Sequence, residues 1–97
     1  MFVIVSYDVS TETADGRRRL RRVARACLDY GQRAQNSVFE CNLDYATWVV
    51  LKQRLLSEAN MNEDSLRFYF LGNKWQGKVE HHGSKPTLDI AGDTLIL

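Results

Sequence analysis

No apolar run in this 97-residue chain approaches the ~20 residues that a helix needs to cross a bilayer. The first residues, Met1 to Val5, lack the charged leader and small-residue cleavage site of a secretory signal, which predicts a cytoplasmic protein with no membrane partner. Cysteine is scarce. Cys27 and Cys41 form no C-x-x-C pair and have no regularly spaced histidines around them, so both read as reduced, apolar side chains rather than as metal ligands or a disulfide. Phosphate loop, dinucleotide fingerprint, zinc motif and nucleophile elbow are all missing. Repeats and low-complexity segments are missing too. The net charge is only +1, so the chain is not basic as a whole.

What is there suits one domain. A chain this short buries only roughly two-thirds of its unfolded surface, so pairing with a second copy would help it. Residues 2–9 are apolar on both alternating faces, the pattern of a central strand. Residues 10–16 are a polar connection with several possible helix caps. Leu20, Val23, Ala24, Cys27 and Leu28 then recur at i, i+3, i+4, i+7 and i+8 and place a helix with one apolar face. Gly31 suits a left-handed cap at its end. Residues 34–43 are β-prone, with either Phe39, Cys41 and Leu43 or Val38, Glu40 and Asn42 inward. Asp44 can cap a second helix, whose stripe reads Tyr45, Trp48, Val49, Leu55, Leu56 and Ala59. After a turn at 60–64, residues 65–71 form a strong strand and 78–82 a short one. The order is read as β-α-β-β-α-β. This predicts an α+β, ferredoxin-like core over residues 1–83, with two helices on one face of an antiparallel sheet. Residues 84–97 form a tail too apolar for a disordered end. Leu88, Ile90, Leu95, Ile96 and Leu97 are expected to add an extra C-terminal strand, on a second subunit or on their own chain.

Two features could carry chemistry. Asp8 closes the first strand. It is either a plain turn or capping aspartate, or a ligand for a hard cation such as magnesium. In the second case a two-fold axis nearby would supply a second copy. Arg17, Arg18, Arg19, Arg21, Arg22 and Arg25 fall within nine residues. At about 100° per residue, Arg18, Arg21, Arg22 and Arg25 lie opposite the apolar stripe, with Arg17 and Arg19 flanking it. Such crowding is either a solvated face or a phosphate-binding one, and the planar guanidinium fork suits phosphate. Tyr7, Phe39, Phe68, Tyr69 and Phe70 either stack bases, as in an isolated RNA-recognition domain, or pack a core. His81 and His82, adjacent on a strand, point to opposite faces and cannot share one metal.

Tyr7-Asp8 at the end of the first strand, the Arg-rich start of the first helix, and Gln35-Asn-Ser-Val-Phe-Glu40 together resemble the Cas-two family of CRISPR-associated proteins. The match runs from Met1 to about Gly83. The resemblance implies a ferredoxin-like homodimer whose C-terminal strand joins the partner's sheet. It implies a metal-dependent endonuclease on single-stranded RNA or double-stranded DNA that also bridges CRISPR integrase subunits during spacer acquisition. Asp8 matches the family's metal-binding aspartate, with magnesium or manganese as the cofactor. Tyr7, Arg33 and Phe39 match positions near that site, and the family's helix arginines fall between Arg17 and Arg22. The alternative reading is a non-catalytic DNA-binding scaffold that uses the same surface.

Overall fold

The structure is a computed structural model that describes residues 1–71 and 78–83. The elements run β1 (Phe2–Asp8), α1 (Ala14–Leu28), β2 (Gly31–Gln35), β3 (Val38–Asn42), α2 (Tyr45–Glu58), β4 (Ser65–Leu71) and β5 (Lys78–Gly83). The sheet is antiparallel throughout, in the order β2-β3-β1-β4-β5. The first four strands make the ferredoxin-like arrangement, and β5 extends the edge beyond β4. The expected α+β class holds. No helix among the described residues is long and apolar enough to cross a membrane.

As its apolar composition predicts, β1 is central. Val3, Val5 and Tyr7 are fully buried on the helix side, and Ile4 on the other side is nearly so. Val5 lies between Phe39 of β3 and Phe68 of β4, so the odd-numbered residues of β1 and β3 face the core together. This settles the open register: Phe39 and Cys41 point inward and Asn42 is exposed. Trp48 from α2 closes the core edge-on against Phe68 and Phe70, with ring centroids 4.8 and 5.5 Å away.

Several local expectations change. The β-prone stretch is two strands, because Asn36 and Ser37 turn the chain between β2 and β3. The strand at Lys78–Gly83 is therefore the fifth of the sheet rather than the fourth. Thr13 caps α1, its hydroxyl accepting from the Gly16 amide at 3.0 Å, and Asp44 caps α2 as expected, its carboxylate accepting from the Thr47 amide at 2.7 Å. Leu28 and Tyr45 leave the apolar stripes: they are 46% and 70% exposed, while Leu51 joins Trp48 and Leu55 in the core. Residues 84–97, with the apolar tail, lie outside the described residues.

Gly31 is not a left-handed cap. Gly83 alone has a positive φ among the described residues, and α1 ends in an αR cap at Asp29. Gly31 opens β2 opposite Cys41 instead. A Cβ there would clash with the Glu40 carbonyl oxygen and lie 2.8 Å from the Cys41 sulfur. Both obstacles sit in the neighbouring strand, so β2 would have to move outward. Gly31→Ala is expected to cost about 1–3 kcal/mol, the usual penalty of overpacking. In a domain of this size that lowers Tm by roughly 5–15 °C, measured by thermal denaturation. An unchanged Tm would show that β2 is not held close to β3.

Candidate functional site

The end of β1, the start of α1 and the β2–β3 turn converge on a cleft of about 440 Å³. Tyr7 and Asp8 line it from β1, Thr11 from the loop, Leu20 and Arg21 from α1, and Arg33, Asn36 and Ser37 from the hairpin. The Tyr7 amide donates to the Ser37 carbonyl at 2.9 Å and so ties the strand end to that turn. Asp8, in register with Ser65, is exposed at the strand end. Beside the cleft runs a second groove, of about 730 Å³, lined by Arg18, Arg21, Arg22, Arg25, Leu28, Asp29 and Arg33. Arg21 and Arg33 belong to both, so the carboxylate and the cationic surface are continuous.

Most of the helix arginines lie on the face that their spacing indicates. Arg18, Arg21, Arg22 and Arg25 are exposed on one side of α1, as is Arg33 on β2. Arg18 makes a loose ion pair with Asp15 at 3.8 Å, and Arg22 one with Glu58 at 4.0 Å. Exposed pairs of this kind are weak and exchange readily for another anion. Asp29, the one acid in the groove lining among the described residues, is held by Arg54 at 2.8 Å. Arg17 is exposed, but its guanidinium donates to the Thr11 carbonyl at 2.9 Å and braces the β1–α1 loop.

Arg19 departs from the expectation. It points inward and forms a two-pronged pair with Asp64, Nε to Oδ2 at 2.8 Å and Nη2 to Oδ1 at 3.1 Å, with Glu63 at 3.2 Å. Asp64 is fully buried. Its carboxylate also accepts from the Tyr7 hydroxyl and from the Asn60 amide at 2.9 Å. Burial alone would raise the Asp64 pKa, but the bonds from Arg19, Tyr7 and Asn60 outweigh it and hold the carboxyl below its usual range. Burial, and then the Asp64 charge, push the Tyr7 phenol far up, so it stays protonated as the donor. Helical spacing alone groups Arg19 with the other arginines of the run, because its partner stands 45 residues away in the sequence.

Of the two readings open for the aromatic residues, core packing holds. Tyr7, Phe39 and Phe68 are fully buried and Tyr69 is 8% exposed, so they offer no base-stacking platform. Phe39 acts from beneath: the Arg33 guanidinium lies 5.4 Å from its ring centroid, within cation–π range. His82 pairs with Glu80 at 2.6 Å, and the same carboxylate pairs with Lys52. No group of three or more metal-ligating side chains occurs among the described residues. The cleft instead offers one hard carboxylate with hydroxyl and amide oxygens from Thr11, Ser37 and Asn36. That donor set fits magnesium or manganese, which take few carboxylates and keep water.

Sequence reasoning missed Asp64, although a signal for it existed. Tyr7 falls on the core-facing parity of β1, and a buried phenol needs a hydrogen-bond partner.

Comparison with known proteins fits this arrangement. A protein of Chlorobaculum tepidum named CRISPR-associated endoribonuclease Cas2 is 62% identical over 97 residues, the full length of both chains. One of Halalkalibacterium halodurans named CRISPR-associated endonuclease Cas2 is 51% identical over 93% of this chain and 94% of its own. The crystal structure of Streptococcus pyogenes Cas2 at pH 6.5 superposes with a TM-score of 0.73 at 56% identity, covering 78% of this chain and 92% of that one. The family described as CRISPR associated protein Cas2 matches residues 1–79, a span that includes the Asp8 cleft, the arginine helix and the buried Asp64, and this chain belongs to it.

Proposed function

We propose that this protein is a metal-dependent endonuclease of CRISPR spacer acquisition, acting as a homodimer on RNA or double-stranded DNA. The observation that carries the reading is the continuity of the Asp8 cleft with the arginine groove through Arg21 and Arg33. Relatives named endoribonuclease and endonuclease, 62% and 51% identical, support it. A nucleic-acid strand laid along α1 meets Arg18, Arg22 and Arg25, and its backbone reaches Asp8 between Arg21 and Arg33. The arginines position the phosphates without reading bases. Arg33, backed by Phe39, neutralises charge as it develops on the attacked phosphate.

Asp8 from each of two subunits would hold one magnesium or manganese ion, which when bound polarises a phosphodiester oxygen and favours deprotonation of the attacking water. Among the described residues Asp8 is the one carboxylate in the cleft lining. That scarcity favours a second reading, a non-catalytic dimeric DNA scaffold that bridges integrase subunits through the same groove.

Metal removal separates the two. The protein is expected to cleave RNA or duplex DNA with magnesium or manganese, to stop in EDTA, and to keep binding in EDTA. Five arginine contacts per protomer give a log–log salt slope of about −3 to −4 on a single strand. Cleavage indifferent to chelation would reject the metal mechanism. Absent cleavage with salt-sensitive binding intact would favour the scaffold. Sedimentation of a monomer at high concentration would reject both.

A further inference from the structure

The buried carboxylate of Asp64 touches two of the three pieces that form the cleft, and ties them to its own turn before β4. It holds the Tyr7 hydroxyl at the end of β1, both prongs of Arg19 on α1, and the Asn60 amide in the turn before β4. Tyr7 in turn holds the β2–β3 turn through Ser37. Asp8 is the residue after Tyr7, and Arg21 is two residues after Arg19. Neighbouring strand residues alternate in direction, so anchoring the Tyr7 ring inside fixes the pleat at Asp8. Anchoring Arg19 inward likewise fixes the rotation of α1 that leaves Arg21 facing the cleft.

We propose that Asp64 is a positioning residue: by clamping Tyr7 and Arg19 it sets Asp8 and Arg21 against one another, and it removes Arg19 from the set of phosphate-binding side chains. The positioning limb rests on the endonuclease reading above. The Arg19 limb does not, because it concerns binding alone. Asp64 never meets substrate, being fully buried. Its effect therefore falls on the chemical step and not on capture of the strand. A misplacement of about 1 Å costs up to about 10²-fold in rate, which bounds the loss.

The test uses the full-length protein carrying Asp64→Asn, Tyr7→Phe, Arg19→Gln or Arg21→Gln, each checked for a folded state by circular dichroism. Asp64→Asn is expected to lower kcat about 10–100-fold with KM within twofold of native. Tyr7→Phe keeps the buried ion pair and lowers kcat by a smaller factor, so it carries the test should Asp64→Asn fail to fold. Asp64→Asn with Arg19→Gln is expected to be no worse than the worse single variant, since both break one clamp. In binding, Arg19→Gln leaves the salt slope of the native protein, whereas Arg21→Gln flattens it by about 0.7 on a single strand.

A folded Asp64→Asn with native kcat, or with the loss confined to KM, overturns positioning. Arg19→Gln flattening the slope as Arg21→Gln does overturns sequestration. If the native protein cleaves nothing with either metal, the endonuclease reading has failed on its own. The clamp is then judged by amide resonances: those of Asp8 and Ser37 shift in Tyr7→Phe if it holds the cleft, and stay in place if it does not.

Discussion

Asp8→Asn is expected to bind RNA and duplex DNA as tightly as the native protein and to cleave them about 10³-fold more slowly. Asparagine keeps the size and one oxygen of aspartate but loses the charge that a hard divalent ion needs. In the proposed homodimer the change is carried twice, so both proposed anchoring carboxylates go at once. Metal stabilisation of a transition state is worth several kcal/mol. About 4 kcal/mol corresponds to about 10³ in rate. Binding is spared because the proposed phosphate contacts come from Arg18, Arg21, Arg22, Arg25 and Arg33, which line the groove and which the substitution leaves alone. Stability is largely spared because Asp8 is exposed at the end of β1. Single-turnover cleavage and fluorescence anisotropy measured on one preparation make the comparison. A variant that cleaves within tenfold of native would show that the ion, or the activity, resides elsewhere.

The fold was legible in the sequence where a pattern is local. The continuous apolar run of β1, the i, i+3, i+4 stripe of α1 and the Asp44 cap each depend on near neighbours, and each is present. The β2–β3 hairpin was not, because Asn36-Ser37 is a weaker turn signal than Asn-Gly and leaves the strand propensity of 34–43 unbroken. Gly31 misled for a related reason. A glycine after a helix suits a left-handed cap, but this one is required by the closeness of β3, which no local pattern records. Tyr45 and Leu28 fell on apolar stripes that the sheet does not reach, since both lie in the terminal turn of their helix.

The candidate site divides along the same line. Asp8 lies exposed at the strand end, and Arg18, Arg21, Arg22 and Arg25 lie exposed on the helix face that their spacing indicates. Arg19 sits in the same run, one residue from Arg18, yet turns inward. The difference is made by a carboxylate that arrives from the α2–β4 turn only once β4 pairs with β1, setting Ser65 opposite Asp8. Tyr7 and Phe39 are buried beneath the cleft, Tyr7 next to Asp8 and Phe39 under the Arg33 guanidinium.

Asp64→Ala is expected to destabilise the protein by about 3–5 kcal/mol near neutral pH, the cost of breaking a buried ion pair from one side. The truncation leaves the Tyr7 hydroxyl without its acceptor in the core, where an unmade bond costs more than a made one contributes. Against a total stability of about 5–15 kcal/mol, the loss puts the variant near the folding threshold. The effect has a pH signature. In the folded protein burial raises the Asp64 pKa, but the bonds from Arg19, Tyr7 and Asn60 bring it below the ordinary value. A depressed folded pKa means that the carboxylate stabilises above the unfolded pKa, about 3.9 for Asp, and that this contribution is lost as pH falls through the folded value. Urea unfolding of native and Asp64→Ala protein should therefore show a gap in stability that is constant from about pH 6 to 8 and narrows below about pH 4. Tyr7→Phe should show a gap of about 1–2 kcal/mol, since it deletes one donor and leaves the ion pair. A gap for Asp64→Ala that stayed constant down to about pH 2.5 would mean that the alanine variant loses packing volume and nothing electrostatic. The clamp would then be a matter of shape, and its grip on the end of β1 would not depend on charge.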